Sequence, residues 1–219
     1  MKLYGMNVSS CTQKALTVCA EKGHEIELIE VNVLKGEDKL PAHLVLQPFG
    51  EIPVLEDDGF VLYESRAIIR YLDQKLPGPA LTPSDLRLRA LMDQWISVEQ
   101  SYFSGPVYDL IRSGPVYETI WQSPAASNFP PPPDAATLAR SRAEVARVLD
   151  VLDKVLAKQD YLVGPMFSLA EVTWLPYLQY LMASPGAELL HARPHVAAWW
   201  QRISTRPSWV KVGRVVGQS

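Results

Sequence analysis

Hydrophobic positions change their period once along this chain. Through residue 76, short β-type runs alternate with stretches of helical period; beyond residue 84 the helical period stands alone. Lys2-Leu3-Tyr4 starts a strand. Ser10 to Lys22 places Cys11, Ala15, Val18 and Cys19 on one face of a helix, and Glu25 to Val33 alternates as a second strand. A short helix is predicted over about Asp38 to Val45. Val54-Leu55 and Phe60 to Tyr63 flank Glu56-Asp57-Asp58-Gly59, which has hairpin chemistry, and a helix runs from Glu64 to Lys75. Strand–helix–strand–helix–hairpin–helix in so short a space predicts an α/β thioredoxin-like domain over residues 1–76.

Leu76-Pro77-Gly78-Pro79 opens a linker over 77–84, and residues 85–219 read as an all-α helical domain. One long amphipathic helix is predicted from Ser84 to Leu110 and another from Asp134 to Lys158, with a stiff loop ending in Pro130 to Pro133 between them. Ser168 and Glu171 form a capping box, and Phe167 with Val172 has the spacing of a hydrophobic staple. The apolar helix that follows, to about Ala183, is predicted to be the central post of this domain. Pro194 opens a further helix carrying Val196, Trp199, Trp200 and Ile203 inward, and Arg206-Pro207 ends it.

Composition narrows the function classes. With 47% hydrophobic and 21% charged residues the chain is globular, and a net charge of −3 with scattered Lys and Arg argues against nucleic acid. No apolar run approaches the roughly 20 residues of a membrane span. Two cysteines eight apart, no signal-type N-terminus and no metal-type spacing lead us to expect a reducing, cytoplasmic setting without a metal. The four histidines are isolated.

The candidate chemistry lies in Phe49-Gly50-Glu51-Ile52-Pro53-Val54 and in Glu64-Ser65. A proline at the mouth of a strand is a plausible cis site. Such a turn leaves the Ile52 amide and carbonyl facing outward, where an extended peptide adds as a strand. The helix opening near Glu64 offers N–H groups, the positive dipole end and the Ser65 hydroxyl to a carboxylate. A small peptide read by its backbone and one terminal carboxylate looks like glutathione.

Assembled, the chain resembles the glutathione transferases, phi-like in class. The resemblance rests on Leu3-Tyr4-Gly5 with Ser9-Ser10-Cys11-Thr12, Gly36 to Lys39, Pro48-Phe49-Gly50 with Ile52-Pro53, and Glu64 to Ile68. It continues through Trp95 with Val98-Glu99, Tyr161 to Gly164 with the capping box, and Pro194-His195-Val196 with Trp199-Trp200 and Arg206-Pro207. It implies a homodimer that uses glutathione as co-substrate, without a cofactor, against small hydrophobic electrophiles; a glutathione-dependent peroxidase and a non-catalytic carrier of hydrophobic ligands are the alternatives. Ser9 falls on the catalytic serine, and Lys39, Glu51, Ile52, Pro53, Glu64 and Ser65 fall in the glutathione site. Met6, Leu34, Tyr102, Phe103 and Tyr177 are expected to wall the electrophile pocket, and Phe49 to insert beside the partner subunit's Trp95. Where the family usually carries Gln, His and paired arginines, this chain has Glu51, Asp38 and Gln13-Lys14, so weaker glutathione affinity is expected. Cys11 is expected to be buried and inert, with Cys19 in the core.

Overall fold

The computed structural model describes residues 1–216. Its first domain is a four-stranded mixed sheet in the order β2-β1-β3-β4, built from β1 (Lys2–Gly5), β2 (Glu27–Glu30), β3 (Val54–Asp57) and β4 (Phe60–Tyr63). β1 and β2 are parallel, joined by helix α1 (Ser10–Glu21); β3 and β4 are the antiparallel hairpin, with Val54 opposite Tyr63. Leu3 sits opposite both Leu28 and Leu55, so one apolar row crosses the sheet and α1 and α3 (Ser65–Lys75) cover it. The expected α/β domain is therefore present. Its strands are shorter than the hydrophobic runs suggested, because pairing stops where the neighbouring strand ends. The short helix expected over Asp38 to Val45 divides into a 3-10 turn at Glu37–Lys39 and α2 (Pro41–Leu44), since Pro41 starts a new helix at its first position.

α1 is buried on more than one side. It contacts α3 in its own domain, and α8 (Leu169–Met182) and α11 (Pro207–Val212) in the second. This explains why Thr12, Gln13 and Lys14 are as buried as Ala15 and Val18. Helix and sheet also approach closely: a Cβ on Gly5 would stand 2.5 Å from Thr12 Oγ1.

The second domain is helical, as expected, around α8. Phe103, Trp174 and Trp199 pack in series on that post, with ring centroids 4.7 and 6.3 Å apart. The capping box starts α8: Ser168 Oγ accepts from Ala170 N, and the buried Glu171 carboxylate takes the N–H groups of Ser168 (2.9 Å) and Leu162 (2.6 Å). The long helix expected from Ser84 to Leu110 is instead α4 (Leu86–Val98), a π-turn over Glu99–Phe103, and α5 (Ser104–Arg112). Pro106 has no N–H to give the preceding turn, and the wider turn absorbs that loss. α6 (Pro115–Trp121), α7 (Ala135–Leu156), α9 (Ala187–His191), α10 (Pro194–Ser204) and α11 complete the domain. Of these, α6, α9 and α11 are too short for a clear period. α10 ends at Ser204, just before Arg206-Pro207 as expected, and Pro207 then opens α11, because its fixed φ suits a first helical turn. No helix among the described residues is long and apolar enough to cross a membrane.

Candidate functional site

Where the two domains meet, a cavity of about 620 Å³ opens to the surface. One wall begins at the start of α1. Ser9 is the N-cap: its backbone is extended (φ −69°, ψ 125°) and its Oγ accepts the Thr12 N–H at 3.3 Å. Serine is among the residues best suited to that position. Accepting leaves its own O–H free to donate, and Ser9, Ser10 and Cys11 all line the cavity. The positive end of the α1 dipole is thus presented to whatever lies there.

Cys11 corrects our expectation. It is half-buried in the cavity wall, because the first turn of α1 faces the opening before the helix enters the core. Cys19, two turns further, is buried, and burial pushes its thiol up to about 12.

The floor comes from the strand mouth. The Ile52–Pro53 bond is cis. The ladder begins at Val54, so Ile52 lies outside it and lines the cavity, while Pro53 is turned into the protein. The loop before it is held from below. Gln47 Oε1 accepts the N–H groups of Phe49 (2.6 Å) and Glu51 (3.2 Å), and buried His43 Nε2 lies 2.8 Å from the Glu51 carbonyl. His43 is therefore not the isolated residue its sequence position suggested.

Lys39 and Glu51 both line the cavity, yet they are engaged with each other. Lys39 Nζ donates to the Gly50 carbonyl and stands 3.1 Å from Asp38 Oδ2 and 3.8 Å from Glu51 Oε1. Glu64 and Ser65 stand outside this wall. Glu64 is exposed and caps α3 with φ at +72°, a strained region for a residue with a Cβ, while Ser65 is buried as the first helical residue. The Val54–Tyr63 pairing nevertheless brings the start of α3 beside the Ile52 segment.

The far wall is aromatic. Met6, Leu34 and Tyr177 line the cavity, whereas Tyr102 and Phe103 do not. Tyr102 is 53% exposed, with the Arg147 guanidinium 5.9 Å from its ring, and Phe103 is buried on Trp174. The cause is the π-turn, whose extra residue rotates the following faces by roughly 100°. Tyr108, Tyr117 and Tyr180 take their place in the wall. Sequence reasoning missed them because an aromatic at helical spacing gives no sign of which face meets a cavity. The Tyr117 hydroxyl donates to that of Tyr108, with the rings 5.6 Å apart, and Tyr180 donates to the Val8 carbonyl. Burial raises all four phenols, Tyr180 up to about 12, so each is protonated at neutral pH.

Beneath the cavity, buried Glu99 accepts from Arg66 Nη2 (2.7 Å) and Nε (3.1 Å) and lies 3.5 Å from Lys14 Nζ. Lys14 in turn stands over the Tyr177 ring at 4.7 Å. Desolvation lowers the Lys14 amine; burial is also the largest single effect on Arg66, but the Glu99 charge and hydrogen bonds, with smaller contributions from Tyr177 and Cys11, together outweigh it and raise the guanidinium. No cluster of metal-ligating side chains occurs among the described residues.

Comparison with known proteins agrees with this geometry. Residues 3–80 match the family "Glutathione S-transferase, N-terminal domain" and residues 116–207 match "Glutathione S-transferase, C-terminal domain". The chain is 37% identical over 212 residues to glutathione S-transferase F9 of Arabidopsis thaliana, covering 95% of this chain and 94% of that one. Its fold is similar to glutathione transferase F7 from Populus trichocarpa (TM-score 0.86, 36% identity, 96% of each chain). It is also similar to a maize glutathione S-transferase I in complex with an atrazine glutathione conjugate (TM-score 0.82, 32% identity, 96% of this chain and 95% of that one).

Proposed function

Because this chain belongs to the glutathione transferase family, phi-like in class, and is a glutathione transferase, we propose that Ser9 ionises the glutathione thiol for attack on a small hydrophobic electrophile. The free hydroxyl of Ser9 at the mouth of α1, inside the interdomain cavity, carries the assignment. A thiol with a pKa near 8.5 is only about 3% ionised at pH 7. A hydroxyl donated to the sulfur, with the α1 dipole behind it, favours the thiolate. Ser9 acts as donor throughout. The thiol proton passes to solvent and the sulfur forms its bond to carbon; in an aryl halide the halide leaves with the electron pair, and in an enone the pair moves to the carbonyl oxygen and the enolate takes a proton from water.

Ile52, outside the ladder, supplies the backbone edge for the peptide, and the start of α3 with Glu64 and Ser65 receives its γ-glutamyl end. Met6, Leu34, Tyr108 and Tyr177 form the apolar side for the electrophile, consistent with a role in detoxification in the cytoplasm. The test is turnover across activated aryl halides, enones and hydroperoxides at saturating glutathione. Conjugation above the uncatalysed rate is expected. Hydroperoxide reduction alone makes the enzyme a peroxidase, and ligand binding without turnover makes it a carrier.

A homodimer is part of the same reading. Leu40, Leu44, Val45 and Phe49 are exposed within ten residues, Phe49 at 70%, and such apolar patches mark interfaces. Trp95 is buried in its own subunit with its carbonyl accepting from Trp174 Nε1, so it offers Phe49 the floor of a pocket and no exposed ring. Phe49→Asp is expected to shift light-scattering mass from two chains to one. A wild type already monomeric at micromolar concentration removes the homodimer.

A further inference from the structure

The four tyrosines of the cavity wall do not hold their hydroxyls alike. Tyr180 donates to the Val8 carbonyl, Tyr117 donates to the Tyr108 hydroxyl, and Tyr177 stands against Ser10 and Cys11 at the start of α1. Tyr108 accepts from Tyr117, and its own O–H donates to no acceptor among the described residues. Its half-buried side chain lines the cavity, so that proton is available to a molecule bound there.

Two neighbours sharpen Tyr108 as a donor. A hydroxyl that accepts a hydrogen bond donates more strongly in its turn. The Arg112 guanidinium, 5.3 Å from the Tyr108 ring centroid, favours negative charge on that ring. Tyr117 is itself braced, with the rings of Trp121 and Phe129 at 5.3 and 6.3 Å from its own. Burial keeps the Tyr108 phenol protonated at neutral pH.

The position of Tyr108 sets what it reaches. Val8, next to Ser9, holds Tyr180; Tyr180 acts through space on Tyr117, and Tyr117 holds Tyr108. Tyr108 also feels the charge of Glu51 from the strand mouth across the cavity. It therefore ends a row of phenols that begins beside Ser9, with the space for the electrophile between. An α,β-unsaturated carbonyl compound needs a donor so placed. Its oxygen lies three bonds from the carbon that the sulfur attacks, and negative charge collects on that oxygen as the new bond forms.

We propose that Tyr108 is a second catalytic donor, whose hydroxyl receives the carbonyl oxygen of unsaturated carbonyl electrophiles and stabilises the enolate formed as sulfur adds. This rests on the glutathione reading of the cavity, with the thiolate at Ser9. The sulfur bonds to the β-carbon, the π pair shifts to the oxygen, and the Tyr108 O–H donates to it there. The enolate then takes a proton from water at its α-carbon, and Tyr108 keeps its own. Tyr117 is a positioning residue.

The experiment reads kcat/KM at saturating glutathione for two electrophiles. One is an open-chain enone; the other is benzyl iodide, whose charge departs on a poorly hydrogen-bonding iodide. Tyr108→Phe keeps the ring and removes the hydroxyl. The enone is expected to lose about 10- to 100-fold, the size of one hydrogen bond to a forming charge, and benzyl iodide less than about twofold. Tyr108→Phe leaves the buried Tyr117 hydroxyl without its acceptor. The double variant Tyr108→Phe/Tyr117→Phe has no such orphan and should show the same selective loss. Tyr117→Phe alone keeps the Tyr108 O–H and should lose less. Equal losses for the two electrophiles, or an enone rate within about twofold of wild type in both Tyr108 variants, overturn this inference and leave the glutathione reading standing. So does a wild type that conjugates benzyl iodide and not the enone, or a Tyr117→Phe loss as large as that of Tyr108→Phe. A wild type that turns over neither electrophile overturns both.

Discussion

Ser9→Ala is expected to lower kcat/KM for conjugation by roughly 10- to 100-fold, the equivalent of losing one hydrogen bond to a charged sulfur at about 1.5–3 kcal/mol. The loss also has a pH signature. In the wild type the rate rises with the apparent pKa of the bound thiol, held below the free value of about 8.5. Without the hydroxyl that midpoint moves up by about one to two units, so the variant recovers part of its deficit at alkaline pH. Ser9 also caps α1 through the Thr12 N–H, and an alanine there costs about 0.5–2 kcal/mol of stability. Ser9→Gly separates the two roles, since glycine caps nearly as well as serine and has no hydroxyl. It should match the alanine in rate and exceed it in melting temperature. If Ser9→Ala keeps more than half the wild-type kcat/KM with an unmoved midpoint, Ser9 is a cap and nothing more.

Glu99→Gln is expected to be the most destabilising single change near the site. It leaves the buried Lys14 and the half-buried Arg66 without their counter-charge. Breaking a buried pair from one side costs about 3–5 kcal/mol. In a chain of this size that lowers the melting temperature by roughly 6–20 °C. The sign with pH follows from Lys14. Burial lowers its folded value below the ordinary 10.5, so between the two values the unfolded chain binds more protons and stability rises with pH. Removing Glu99 deletes the attraction that opposes that lowering, so Lys14 loses its proton at lower pH in the variant. The deficit against wild type therefore shrinks from neutral pH toward pH 9.5 without vanishing, because Arg66 stays charged. Calorimetry at the two pH values checks this; equal deficits would show that Lys14 is not part of the penalty.

Much of the fold was legible because local chemistry and burial agreed. Leu3, Val54 and Leu55 are apolar in short β runs and sit in the sheet, and Ser168 with Glu171 announces α8 by capping chemistry that needs no distant partner. The errors arose where a tertiary demand displaced the local period. Gln13 and Lys14 lie off the apolar face of Cys11, Ala15, Val18 and Cys19, yet the second domain covers them. The residues from Ser84 to Leu110 keep a helical pattern throughout, but the π-turn re-aims them, which sends Tyr102 outward and Phe103 into the core. Cys11 follows the apolar stripe of α1 and still faces the cavity, because a first helical turn has neighbours on one side only.

The amino-acid sequence alone settled the two-domain class and the position of the strand-mouth proline, since period and proline geometry act over a few residues. Only the folded chain decided which aromatics wall the cavity, that Lys39 lies beside Asp38, Glu51 and the Gly50 carbonyl, and that Glu99 joins two cations from α1 and α3. Those outcomes depend on the distance between groups far apart in the chain, and on how much water is removed between them, which no local pattern encodes.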